Sequence, residues 1–368
     1  MFKYDVHVAI VGGGPAGATA ARVLGRASVE TVLIERNPDN EKPCGGGLIS
    51  TAFDEFEIPQ SLITKEVHSL EIISPKGAMQ EIDLEGAYVS IINRREFDKA
   101  LRQEAQRAGV DVITGTVTGV SVDRGGVALR INSQGWQRTL RARYVIAADG
   151  VNSTVRRAVT GTSPSRIFTT HEVIPDRGVT KCRFQFGKLY APGFYAWIFP
   201  HHNGISVGTG TVDTAAAGLC LDNFIKDSGI KTVGKRRGYF IPVWDGSAYY
   251  KSGVFFVGDA AGQVLPVTYE GICYAMKSAK LAAEAIINDR PKNYKKHWQS
   301  KYRKHFILMR ALQSYFLQSD EAAEELVSIH GRADIREASM GLWTQKTISL
   351  KEITTLTTKL LKRYFFGN

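Results

Sequence analysis

Val6-His7-Val8-Ala9-Ile10-Val11-Gly12-Gly13-Gly14-Pro15-Ala16-Gly17 is a short apolar run that breaks into a glycine turn, and Ala18 to Leu24 behind it has helix-forming composition. Strand, glycine turn and helix in this order form a phosphate-binding unit. Gly12 permits the tight turn, Gly14 lets the backbone approach a pyrophosphate, and Gly17 lets the helix pack closely on the strand. Pro15 and Ala16 belong to the turn, and the phosphate is expected at the start of the helix behind it, where unpaired amides and the dipole favour a negative charge. Thr31-Val32-Leu33-Ile34 reads as the next strand and ends at Glu35. That acid stands about twenty residues beyond the turn, the spacing at which a carboxylate accepts from a ribose diol. The pattern predicts a βαβ dinucleotide-binding unit with strand Tyr4 to Val11 as its first element.

Two later segments repeat the theme. Tyr144-Val145-Ile146-Ala147-Ala148-Asp149-Gly150 is an apolar strand closing on Asp-Gly, followed by Asn152 to Arg157. Val254-Phe255-Phe256-Val257-Gly258-Asp259 runs into Gly-Asp in the same way, and Pro266, Glu270-Gly271 and a helical stretch from Ile272 to Ile287 follow. A strand-end aspartate beside a glycine can hold a ribityl hydroxyl, and the next helix aims its positive end at a flavin pyrimidine ring. NAD is the competing ligand for the glycine turn alone. Glu35-Arg36, with the fingerprint near the beginning of the chain, resembles FAD-dependent enzymes more than nicotinamide dehydrogenases.

In these three segments, and in their order, the chain resembles the p-hydroxybenzoate-hydroxylase-like flavoproteins over about its first 290 residues. Asn93-Arg94-Arg95-Glu96-Phe97-Asp98-Lys99-Ala100-Leu101 is similar to that group's Arg-x-x-Phe-Asp-x-x-Leu helix start. The resemblance implies that Arg94 lies near the flavin phosphates; a solvated arginine at a helix start is the plain alternative. Lys42-Pro43-Cys44-Gly45-Gly46-Gly47-Leu48, Tyr195-Ala196-Trp197-Ile198-Phe199-Pro200 and Val207-Gly208-Thr209-Gly210 are similar to motifs of the geranylgeranyl reductase family.

That resemblance implies an α/β protein with a Rossmann-like FAD-binding domain of the glutathione-reductase type. An intergrown antiparallel-sheet substrate domain and a C-terminal helical segment complete it. The expected boundaries are 1–60, 92–160 and 250–300 for the FAD domain, 61–91 and 161–249 for the substrate domain, and 301–368 for the helical segment. The implied activity is FAD-dependent saturation of isolated double bonds in a geranylgeranyl chain, on a prenyl diphosphate or a prenylated lipid. Cys44 and the Gly45-Gly46-Gly47 loop are the implied catalytic elements, with the thiol or an ordered water as proton source. Glycines there let backbone amides approach without side-chain obstruction. A buried packing cysteine is the plain reading of Cys44, and it is the expectation for Cys182, Cys220 and Cys273.

Tyr195, Trp197 and Phe199 alternate, so on a strand they share one face; with Pro200 they read as an apolar substrate wall or as plain core. A second reading keeps the fold and makes the chain an FAD monooxygenase of hydroxylase or halogenase type. A third is a non-catalytic electron carrier or lipid-binding module. One dinucleotide fingerprint is present, so the donor, NADPH or a ferredoxin, is not readable.

The Lys+Arg excess gives a net charge of +11, which suits anionic partners. No nucleic-acid motif accompanies it. The four cysteines are widely spaced, so neither a metal site nor a disulfide framework is expected. No stretch approaches the ~20 apolar residues of a membrane span. A cytoplasmic protein is expected, with peripheral contact on the inner face of a membrane left open. Basic amphipathic helices are predicted over Lys301 to Gln318 and Leu350 to Tyr364, and packing on the main body is preferred to a lipid surface.

Overall fold

The computed structural model describes residues 4–344 apart from 134, 177, 232 and 233. The expected helix from Leu350 to Tyr364 lies outside the described residues. Helices along the chain are α1 (Pro15–Arg26), α2 (Thr51–Glu55), α3 (Arg94–Arg107), α4 (Thr154–Thr160), α5 (Ala217–Asp227), α6 (Ile272–Ile287), α7 (Asn293–Phe316), α8 (Asp320–Ile329) and α9 (Ala333–Thr344).

The chain divides into two compact units. The first comprises the described residues up to Lys42, Asn93–Ile167 and Phe240–Arg303; the second comprises Pro43–Ile92, Phe168–Tyr239 and the described residues from Lys304 on. Residues 43–60 therefore belong with the second unit, not with the nucleotide-binding part, and the described residues after Arg303 are not a unit of their own.

In the first unit a parallel sheet runs in the order Val254–Phe256, Trp136–Ala147, Val6–Val11, Thr31–Glu35 and Asp111–Thr114. The first strand begins at Val6 and not at Tyr4. At the centre of this sheet Val8–Val11, Val32–Ile34 and Val145–Ala147 are apolar runs buried on both faces, as a covered parallel sheet requires, whereas the edge strand Asp111–Thr114 is exposed at both ends. Their register decides the site: Val11 is level with both Ile34 and Ala147, and Ala147 is level with Phe256. Gly12, Glu35, Asp149 and Gly258 therefore emerge at one edge, the carboxyl ends of four adjacent strands. Strand Val6–Val11 has later strands on both sides, so the edge includes the switch point where ligands bind open α/β sheets.

In the second unit a seven-stranded sheet takes the order Arg237–Pro242, Arg166–Ile174, Gly204–Thr211, Ala196–His201, Cys182–Gln185, Ser69–Ile73 and Met79–Asp83. It is not wholly antiparallel, because Cys182–Gln185 pairs in parallel with Ser69–Ile73. Those two strands are distant in sequence, so no hairpin constrains their direction. Gly47–Ile49, Val89–Ile92 and Ile63–Val67 form a separate three-stranded sheet. Helix α7 starts at Asn293, earlier than its pattern indicated. Tyr302, Phe306, Met309 and Phe316 on its apolar face are buried and Leu312 is half-buried, so this face packs on protein. Among the described residues no helix is long and apolar enough to cross a membrane.

Candidate functional site

The glycine turn after Val11 is built by close approach. Gly12 adopts φ +99°, and a Cβ there would lie 2.4 Å from the Ala148 carbonyl oxygen; one at Gly17 would lie 1.8 Å from the Gly12 oxygen. Gly14 is different, since a Cβ there would meet nothing within 4 Å. Gly14 is also the N-cap of α1, with Pro15 next and no side chain capping the helix. The open space at Gly14 thus adjoins amides that no side-chain cap claims, which is a cradle for a phosphate.

Gly13 is clamped from both sides. Its N–H donates to Glu35 Oε2 at 2.6 Å, and its carbonyl accepts from Arg102 Nη1 at 3.0 Å. Glu35 Oε1 accepts from the Asn37 N–H at 2.8 Å, and Arg102 Nη2 donates to the Pro38 carbonyl. Glu35, expected to meet a ribose, holds the turn with its two carboxylate oxygens, while Arg36 is exposed. Arg94, expected at the phosphates, is buried and donates to both carboxylate oxygens of Asp98, at 3.2 and 2.9 Å. It is Arg102, two turns further along α3, that reaches the glycine turn. Arg94, Asp98 and Arg102 stand at i, i+4 and i+8 of α3 and all three are buried, as charged residues are only when partnered.

Asp149 turns towards its own segment. It accepts from the Ser153 hydroxyl and from the Val155 N–H, and Ser153 caps α4 through the Arg156 N–H. Burial raises the Asp149 carboxyl above its usual range, opposed by the Ser153 hydroxyl and neighbouring amides. Arg156, fully buried, donates to the Ala260 carbonyl at 3.1 Å and to Asp245 and Ser247 at 3.2 and 3.0 Å. It ties the Asp149 segment to the turn after Val254–Phe256.

That turn is held from beneath. The Gly258 N–H donates to Gln263 Oε1 at 3.1 Å and to Ser278 Oγ at 3.0 Å. Gln263 Nε2 donates to the Tyr294 hydroxyl at 3.0 Å, which donates to the Phe256 carbonyl at 2.7 Å. Asp259 Oδ2 pairs with Lys42 Nζ at 2.6 Å. Gly271 caps α6 without a side chain, and a Cβ there would lie 3.4 Å from Asp259 Oδ1. Asp259 therefore sits at the start of α6, where Ile272 is the first helical residue. The loop between them carries buried Pro266 and two non-glycine residues in the left-handed region, Val267 at φ +71° and Tyr269 at φ +53°. A β-branched residue held there costs about 1–3 kcal/mol, a strain found where backbone shape serves a site.

In the second unit Tyr195, Trp197 and Phe199 do share one face, with ring centroids 6.3 and 6.4 Å apart. Phe184 fills the gap between Tyr195 and Phe199, at 5.1 and 5.0 Å. Tyr195, Trp197 and Pro200 are buried; Phe199 is the half-buried, accessible member. Glycines seat these rings. A Cβ at Gly208 would lie 2.2 Å from the Trp197 ring, one at Gly210 2.7 Å from the Phe194 ring, and one at Gly45 2.6 Å from the Phe199 ring. Gly46 adopts φ +76° and Gly47 opens strand Gly47–Ile49. Cys44 is half-buried, whereas Cys182, Cys220 and Cys273 are buried. Burial pushes the Cys182 thiol far up, so it is inert packing.

The unclaimed helix starts, the open side of Gly14 and the strand-end carboxylates fit a dinucleotide carrying a flavin. Residues 5–185 match an FAD-binding domain family. The geranylgeranyl diphosphate reductase of Rhodobacter capsulatus is 32% identical, over 94% of this chain and 93% of its own length. Digeranylgeranylglycerophospholipid reductase 2 of Methanothermobacter thermautotrophicus is 31% identical, over 81% of this chain and 84% of its own. The crystal structure of a geranylgeranyl bacteriochlorophyll reductase-like protein from Thermoplasma acidophilum superposes with a TM-score of 0.83 at 26% identity, covering 97% of this chain and 98% of that one.

Proposed function

This chain belongs to the geranylgeranyl reductase family, and on that premise we propose that it is an FAD-dependent reductase that saturates isolated double bonds of a geranylgeranyl chain. The observation that carries the reading is the seating of Phe199 on Gly45, which joins the accessible end of the aromatic wall to the loop bearing Cys44. An apolar surface next to a thiol is what protonation of an unactivated alkene in a dry site requires.

In this reading Gly12, Gly14, Pro15, Ala16 and Gly17 hold the pyrophosphate, with Glu35 and Arg102 fixing the turn. Asp259 receives the ribityl chain, and Pro266, Gly271 and Ile272 bring the start of α6 to the pyrimidine edge. When bound and reduced, FAD supplies a hydride. Tyr195, Trp197, Phe199 and Pro200 hold the prenyl chain and exclude water. The Cys44 thiol, or a water ordered by Gly45, Gly46 and Gly47, gives a proton to the other alkene carbon. Protonation lends that alkene tertiary-cation character, which is what makes hydride capture feasible.

The substrate is a prenyl diphosphate or a prenylated lipid, the two classes in the names of the relatives, and the donor is NADPH or a ferredoxin. A net charge of +11 suits an acidic electron carrier or the anionic face of a membrane. The test is product analysis with each substrate class, dithionite as reductant and oxygen uptake followed in parallel. The reading requires products heavier by two hydrogens per bond and no substrate-stimulated oxygen uptake. Oxygenated products would establish the monooxygenase instead.

A further inference from the structure

Lys42 has no part in the reading above, yet it pairs with the carboxylate to which that reading gives the ribityl chain. Its ammonium lies 2.6 Å from Asp259 Oδ2, and the two side chains are 28% and 11% exposed. The partners are 217 residues apart in sequence, so no local propensity explains the pair.

Magnitudes say why a cation is needed. The uncapped start of α6 contributes about half a unit of positive charge. Asp259, beside that start, contributes a full negative unit. Without a counter-charge the carboxylate outweighs the helix, and the flavin end of the site opposes the negative charge that reduction places on N1 and C2=O. With Lys42 in place, the helix start, Asp259 and Lys42 together sum to about half a positive unit, and the neighbouring half-buried Glu270 makes the loss of Lys42 weigh more. The pair is mostly buried, so solvent screens it less than a surface pair.

We infer that Lys42 is a positioning and charge-balancing residue that sets the reduction potential of the bound flavin by neutralising Asp259; the inference rests on the proposed cofactor role of Asp259. It acts on the difference between reduced and oxidised cofactor, not on binding of both alike.

The experiment is a dye-equilibration titration of the holoprotein's two-electron potential, alongside the affinity for oxidised FAD. The variants are Lys42→Arg, Lys42→Met and the double variant Lys42→Met/Asp259→Asn. Lys42→Arg keeps the potential. Lys42→Met weakens reduced FAD about tenfold more than oxidised FAD, a fall of about 30 mV for two electrons. The double variant, which removes both charges, brings the potential back towards wild type. An unshifted potential in Lys42→Met, equal weakening of both redox forms, or a double variant as low as the single one each overturns the inference. A wild-type chain that holds no FAD overturns the cofactor reading itself.

Discussion

Gly14 of the nucleotide turn and the glycines behind the aromatic wall of the second unit do opposite work. At Gly14 of the nucleotide turn, the space a side chain would occupy is empty of protein; at Gly45, Gly208 and Gly210 of the second unit, it is filled by the rings of Phe199, Trp197 and Phe194. Sequence alone treats Gly14 and the Gly45 loop alike, as backbone left bare for a ligand, and marks Gly208 and Gly210 only as part of a family motif. The structure separates a glycine that leaves room for something outside the chain from glycines that receive the chain's own aromatics.

Four substitutions sharpen that contrast. Gly208→Ala forces its methyl into Trp197 and the Cβ of His171 and is expected to lower stability by about 3 kcal/mol, read as a fall in denaturation midpoint whether or not FAD is present. Arg102→Met leaves the Gly13 and Pro38 carbonyls without their guanidinium; a loss of about 2 kcal/mol is expected, with weaker FAD binding in fluorescence titration. Gly14→Ala leaves the FAD-depleted protein as stable as wild type, because nothing stands within 4 Å, yet weakens FAD by about tenfold, or 1.4 kcal/mol. Should it lower the midpoint of the FAD-depleted protein as Gly208→Ala does, the distinction between the two kinds of glycine fails. Tyr294→Phe removes the support beneath the Gly258 turn and is expected to cost about 1 kcal/mol, mostly recovered at saturating FAD.

What was legible in the sequence was local. The first βαβ unit and the bounds of α6, Ile272–Ile287, follow from apolar runs, glycines and helix-forming composition within a few dozen residues. The gathering of Gly12, Asp149 and Gly258 at one sheet edge was expected from their repeated pattern, and the strand register accounts for it. The supports of the site were not legible. Arg102 meets Gly13 across 89 residues, and Tyr294 meets Phe256 across 38. Such pairs depend on tertiary packing that no spacing encodes. Arg94 is not the solvated arginine of the plain alternative: Asp98, one helical turn on, takes its guanidinium into a buried pair. The glycine loop after Cys44 was read for ligand approach, whereas Gly45 also answers to a ring more than 150 residues away.

In the proposed reaction, reduced flavin on this chain hands its electrons to a prenyl double bond. Dithionite-reduced holoprotein mixed anaerobically with geranylgeranyl diphosphate or a geranylgeranylated lipid tests it, with flavin absorbance and product mass followed together. Flavin reoxidation matched by a product two hydrogens heavier is expected, and with the thiol as proton source it is slowed in Cys44→Ala. Flavin that stays reduced with both substrates until air is admitted would contradict it.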